Sequence, residues 1–68
     1  MAELSNRIRI AREARGWTQA DLAERVGVTR KTINTVENGV FVPSTVIALK
    51  IARAFAMPVE ALFVLDGE

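Results

Sequence analysis

The stretch from Arg30 to Asn38 holds the side chains best suited to chemistry. At 3.6 residues per turn, Arg30, Lys31, Asn34 and Thr35 fall on one face of a helix, with Ile33 and Val36 opposite and Glu37 at the inner margin. That face offers two cations, an amide and a hydroxyl, a set made for hydrogen bonding to another surface rather than for moving protons or electrons. Bond-making chemistry finds little support elsewhere. The chain has no histidine and no cysteine, so neither a Ser-His-Asp nor a Cys-His arrangement can be assembled. Its two serines, Ser5 and Ser44, both stand where a helix would start. The same absences leave only carboxylates as metal ligands and argue against structural zinc. The reading is of a non-enzyme, with no metal, cofactor or small-molecule ligand expected.

The elements that must position this face follow from glycine and proline punctuation. Sixty-eight residues make one domain, 1–68. Such a chain buries only about 60% of its unfolded surface, so helix packing and self-association are the available sources of stability. A first helix is predicted from about Ser5 to Arg15, with Leu4, Ile8 and Ala11 on one stripe and Ile10 and Ala14 beside it. Gly16 ends it and Trp17 packs back on it. Thr18-Gln19-Ala20-Asp21 has the form of a capping box for a second helix, whose buried face is Leu22, Ala23 and Val26. Gly27 ends that helix and Thr29 caps the third, which Gly39 terminates. Phe41 is expected to plug the core from the loop before Ser44. Ser44 caps a fourth helix through Phe55, whose nearly continuous apolar surface predicts deep burial. Pro58 suits the opening of a fifth helix, Val59 to Phe63, and Phe63-Val64-Leu65 is β-prone. The expected class is all-α: five compact helices, one domain, with a short C-terminal strand.

Net charge is only +1, but it is unevenly spread. Residues 1–34 hold seven basic and four acidic side chains, and residues 35–68 hold two basic and four acidic. A basic half points to a polyanionic partner, although solvated helix faces would give the same count. Nothing near the N-terminus reads as a secretory signal. The most apolar stretch, Val46 to Leu65, is broken by Lys50, Arg53, Pro58 and Glu60 and does not read as a membrane span. A cytoplasmic location with no membrane partner is the expectation.

Two short helices around a glycine-centred turn, Thr18 to Asn38, are what a helix-turn-helix requires. Arg12 to Ala23, Gly27-Val28-Thr29-Arg30-Lys31-Thr32-Ile33 and Val36-Glu37-Asn38-Gly39 together resemble the Cro/C1-type (XRE) helix-turn-helix family of phage repressors and related regulators. The likeness continues through Pro43-Ser44, Ala48 to Ala52 and Glu60 to Phe63 and covers nearly the whole chain. It implies a lambda-repressor-like fold and sequence-specific binding of double-stranded DNA by a small transcriptional regulator, with residues 30–38 in the major groove. It further implies base contacts from Arg30, Lys31, Asn34 and Thr35. Arginine or lysine suits guanine O6 and N7, and asparagine suits adenine N6 and N7; contact of Arg30 and Lys31 with phosphates alone is the alternative. Phosphate contacts are implied for Arg12, Gln19, Thr29, Thr32 and Asn38, and an ion pair for Arg12 with Glu37.

Some positions depart from the family pattern. Val40 stands where a basic residue often meets phosphate, and Ala56 and Pro58 replace a common glycine and serine. Family members act as dimers on two-fold operators. Here Leu62, Phe63, Val64 and Leu65 are the expected homodimer interface, with Phe63 to Leu65 as a strand joined by residues near Met1 to Leu4; closing the monomer core is the alternative. The apolar run Val40-Phe41-Val42 keeps open a second use of the fold, as a protein-binding adaptor or antitoxin.

Overall fold

The computed structural model describes residues 4–66. Its elements are β1 (Leu4–Asn6), α1 (Ile8–Ala14), α2 (Gln19–Val26), α3 (Arg30–Glu37), α4 (Thr45–Phe55), α5 (Val59–Leu62) and β2 (Phe63–Leu65). Local chemistry explains most boundaries. The Thr18 hydroxyl accepts from the Asp21 N–H while the Asp21 carboxylate accepts from the Thr18 N–H, which is the complete capping box. These bonds, the backbone one first, hold the Asp21 carboxyl below its ordinary pKa. Thr29 caps α3 through the Thr32 N–H, and Ser44 caps α4 through the Ile47 N–H. Gly27, at φ 86°, turns the chain between α2 and α3 while its N–H still bonds to Ala23.

Ala56 does the corresponding work at the end of α4, at φ 54°. Left-handed backbone is unfavourable for a side chain bearing Cβ. Ala56→Gly is therefore expected to raise stability by about 1 kcal/mol in urea unfolding, and a variant less stable than the parent would contradict the strain.

The five helices close on one core of Ile8, Leu22, Ala23, Val26, Ile33, Val36, Ile51, Ala52, Phe55 and Leu62. Trp17, Val28, Ile47, Met57, Val59 and Phe63 pack around it. Helix α2 is central, touching both α3 and α4.

Five expectations change. Leu4–Asn6 is a strand rather than the start of the first helix. It pairs antiparallel with β2 in the register Leu4↔Leu65, Ser5↔Val64 and Asn6↔Phe63, giving its backbone partners that a free first turn would leave to water. Arg7 N–H to Leu62 C=O (2.8 Å) extends the pairing. Accordingly α5 stops at Leu62, one residue earlier than expected, because Phe63 already belongs to the strand. Met1 to Glu3, which the sequence reading joined to this strand, lie outside the described residues. Ile10 points outward rather than flanking the core. Helix α4 is buried only on its Ile51, Ala52 and Phe55 side, leaving Val46 61% and Leu49 57% exposed, because no element among the described residues covers its outer face. Phe41 is 44% exposed and is not a core plug; Phe55 and Ile33 fill the interior instead.

Candidate nucleic-acid interface

Helix α3 rests on Ile33 and Val36, both fully buried, and so turns Arg30, Lys31 and Asn34 to solvent. Thr35 is half-buried, and its hydroxyl donates to its own helix at Thr32 C=O (2.9 Å). Of the four outward positions, Thr35 thus retains only acceptor capacity and a methyl group. Thr29 and Thr32 lie at the head of the helix with hydroxyl oxygens 3.0 Å apart. Gln19 and Thr18, at the start of α2, flank the same surface. Gln19, Arg30, Lys31 and Asn34 together line a shallow depression of about 330 Å³. As the first residue of α2, Gln19 also carries one of the N–H groups that a helix leaves without an internal partner.

The expected pair is present and bidentate. Arg12 Nε donates to Glu37 Oε2 at 2.7 Å and Nη2 to Oε1 at 3.3 Å, with the side chains 11% and 3% exposed. A third donor, Nη1, reaches Trp17 C=O at 2.9 Å. The Glu37 hydrogen bond raises the Arg12 pKa further above its ordinary value, against the pull of burial. One guanidinium therefore ties α1 to the end of α3 and to the turn before α2. Three of its five N–H groups are taken, and its remaining edge lines a depression shared with Gly16 to Ala20 and Arg30.

A relay of amides runs outward from this pair. Gln19 Nε2 donates both to Glu37 Oε1 (3.1 Å) and to Asn34 Oδ1 (3.2 Å). Asn38 Nδ2 also donates to Asn34 Oδ1, at 3.1 Å. Asn38 is the C-cap of α3, its N–H bonding to Asn34 C=O. Sequence spacing had indicated which of these residues face outward but not that they bond to one another.

Other basic residues serve the scaffold, which sequence reasoning missed. Arg15 donates to Phe55 C=O (2.6 Å) and lies over the Phe55 and Trp17 rings, and Arg25 lies 4.2 Å from the Trp17 centroid. Arg9 pairs with Glu13 at the surface. Asn6 bridges β1 to α3, donating to Val36 C=O at 2.9 Å and accepting from the Ile8 N–H. The Arg15–Phe55 and Asn6–Val36 contacts carry no local signal, because they join positions far apart in the chain. The effect is to leave Arg30 and Lys31 as exposed cations on α3 with no carboxylate partner among the described residues.

Leu62 is fully buried and has no surface to offer a partner, whereas Phe63 and Val64 are half-buried and Leu65 is exposed. Among the described residues no helix is long and apolar enough to cross a membrane.

Such a helix pair, with one helix anchored from beneath and its polar face free, defines a helix-turn-helix protein. The chain belongs to the Cro/C1-type helix-turn-helix family, which it matches over residues 8–62, and that family comprises DNA-binding transcriptional regulators rather than enzymes. It is 43% identical to YgzD of Bacillus subtilis, named an uncharacterised HTH-type transcriptional regulator, over 96% of this chain and 98% of the relative. It is 50% identical to a regulator of the same description from Methanothermobacter thermautotrophicus, over 90% of each. A shorter match, 39% over 53% of this chain and 41% of the relative, is to the antitoxin HipB of Escherichia coli. The fold resembles the crystal structure of a Bacteroides fragilis protein named for DNA binding, with TM-score 0.78 and 25% identity over 88% of this chain and 97% of that one.

Proposed function

We propose that the protein binds duplex DNA sequence-specifically as a homodimer on a two-fold operator and represses transcription by occupying it. The observation that carries this reading is the relay from the buried Arg12–Glu37 pair through Gln19 to Asn34, which fixes a polar reading face on an exposed helix. Arg30, Lys31 and Asn34 meet the bases. The Gln19 N–H at the start of α2, the Thr29 and Thr32 hydroxyls, Asn38 and the free edge of Arg12 meet phosphates, an anion at a helix N-terminus being favoured by its orphan amides. A second copy docks on the apolar surface of Phe63, Val64 and Leu65, beside Leu4 and Leu49. Dimerisation doubles a short reading face, placing two recognition helices about 34 Å apart.

Selection from a random DNA pool tests both parts. Two inverted half-sites about one helical turn apart are expected; one unrepeated half-site would sink the dimer, and no enrichment would sink sequence-specific binding. Each phosphate neutralised by a basic side chain adds about −0.9 to the slope of log affinity against log salt, so DNA affinity is expected to fall steeply between about 50 and 200 mM. The second reading, an adaptor or antitoxin, is favoured by the exposed Val40-Phe41-Val42 loop and the likeness to HipB. DNA affinity indifferent to salt would support it instead.

A further inference from the structure

We propose that Asn34 reads DNA as a hydrogen-bond donor only, and that the buried ion pair dictates this through Gln19. The proposal rests on α3 being the recognition helix. The argument is one of forced polarity. A carboxylate accepts and cannot donate, and both Glu37 oxygens already face Arg12. Gln19 must therefore turn its amide nitrogen, not its oxygen, toward Glu37. The second hydrogen of that nitrogen reaches Asn34, which must answer with its oxygen. Asn38 donates to the same oxygen. A carbonyl oxygen has two lone pairs, and both are now used. What Asn34 has left is its Nδ2, which donates to no acceptor among the described residues and sits on an exposed position at the depression shared with Arg30 and Lys31.

The consequence is a changed base preference. Pairing with adenine across N6 and N7 needs an asparagine that both accepts and donates. An Asn34 with its oxygen held back could use only the adenine N7 acceptor and would set its N–H2 close to the adenine N6–H2. Guanine presents two adjacent acceptors, O6 and N7, and suits a pure donor best. Thymine O4 offers one acceptor, and the cytosine N4–H2 offers none. The Gln19 backbone N–H remains free for phosphate while its side chain holds the relay, so the two roles do not compete.

The test measures affinity for four operators differing only at the pair read by Asn34, located as the position whose preference disappears in Asn34→Ala. The parent protein is expected to favour guanine over adenine there by about tenfold. In Gln19→Ala/Asn38→Ala the amide is free to turn, so that ratio should fall to near unity or reverse. General weakening of the double variant, or lost phosphate contacts, lowers all four affinities alike and leaves the ratio untouched. A parent preference for adenine, or an undiminished guanine preference in the double variant, would overturn the proposal while leaving DNA recognition by α3 intact. Equal affinity for all four operators and for random DNA would instead refute the recognition helix itself.

Discussion

Glu37→Ala is expected to lower the unfolding free energy by about 3–5 kcal/mol, because it leaves the Arg12 guanidinium buried without its counter-charge. A domain of this length has a total stability of roughly 3–10 kcal/mol, so the variant should be largely unfolded near its usual working temperature. The loss is more than one bond. Arg12 holds the turn at Trp17 as well as the end of α3, and Glu37 also anchors Gln19. Arg12→Met/Glu37→Leu separates the two possible origins. Removing both charges takes away the unpaired ion, so stability should recover to near that of the parent. Urea denaturation followed by circular dichroism measures all three proteins. A drop below about 1 kcal/mol in Glu37→Ala would show that the pair is solvated well enough to be dispensable. Recovered stability without recovered operator affinity is expected of the double variant, since its Gln19 has lost the acceptor that orients the relay. The ion pair is then retained for presenting the reading face more than for folding.

Phe55→Ala is the second large effect, about 3–5 kcal/mol. Phe55 is the largest fully buried side chain, stacked on Trp17 at 5.3 Å between ring centroids and faced by the Arg15 guanidinium at 4.9 Å. Truncation opens a cavity beneath α2 and α4 and removes the aromatic contact that seats Trp17. The Arg15 bond to the Phe55 carbonyl survives, being to backbone. Phe55→Leu keeps most of the volume and should cost about half as much. Tryptophan fluorescence in the same denaturation series reports on the Trp17 environment directly. Equal losses in the two variants would mean that the aromatic contact, not the filled volume, dominates.

What could be read in advance was whatever the chain settles locally. Thr18 with Asp21, Thr29, Ser44 and Gly27 act within one turn of themselves, so their spacing announced the caps and the sharp turn. The Arg12–Glu37 pair was implied by family resemblance rather than by spacing, and it is there. Strand β1 was anticipated only at its first residue, Leu4, because three residues carry no usable periodicity and their partner lies at the other end of the chain. Val46, Leu49 and Phe41 misled for a different reason: an apolar residue predicts burial only when another element is present to cover it. The cation–aromatic contacts of Arg15 and Arg25 had no signal at all. Asn34 is the instructive case. Its outward position was legible, but the direction of its amide depends on Gln19, Asn38 and Glu37 meeting in space, and the proposed base preference rests on that direction.

The β1–β2 pairing has a kinetic corollary. Joining Leu4 to Leu65 closes a loop of nearly the whole chain, the longest closure the fold contains. Helices α1 to α5 satisfy their hydrogen bonds within a few residues and can form early, whereas the ribbon has no reason to exist until the bundle has brought its two halves together. It is expected to form last and, being only three residues deep, to open first. The molecule thus has a clasp of lower local stability than its bundle, and the surface assigned to a second copy sits on that clasp. If a second copy docks there as proposed, association and closure of the chain on itself are coupled equilibria, and protein concentration would act on the ribbon as well as on the dimer.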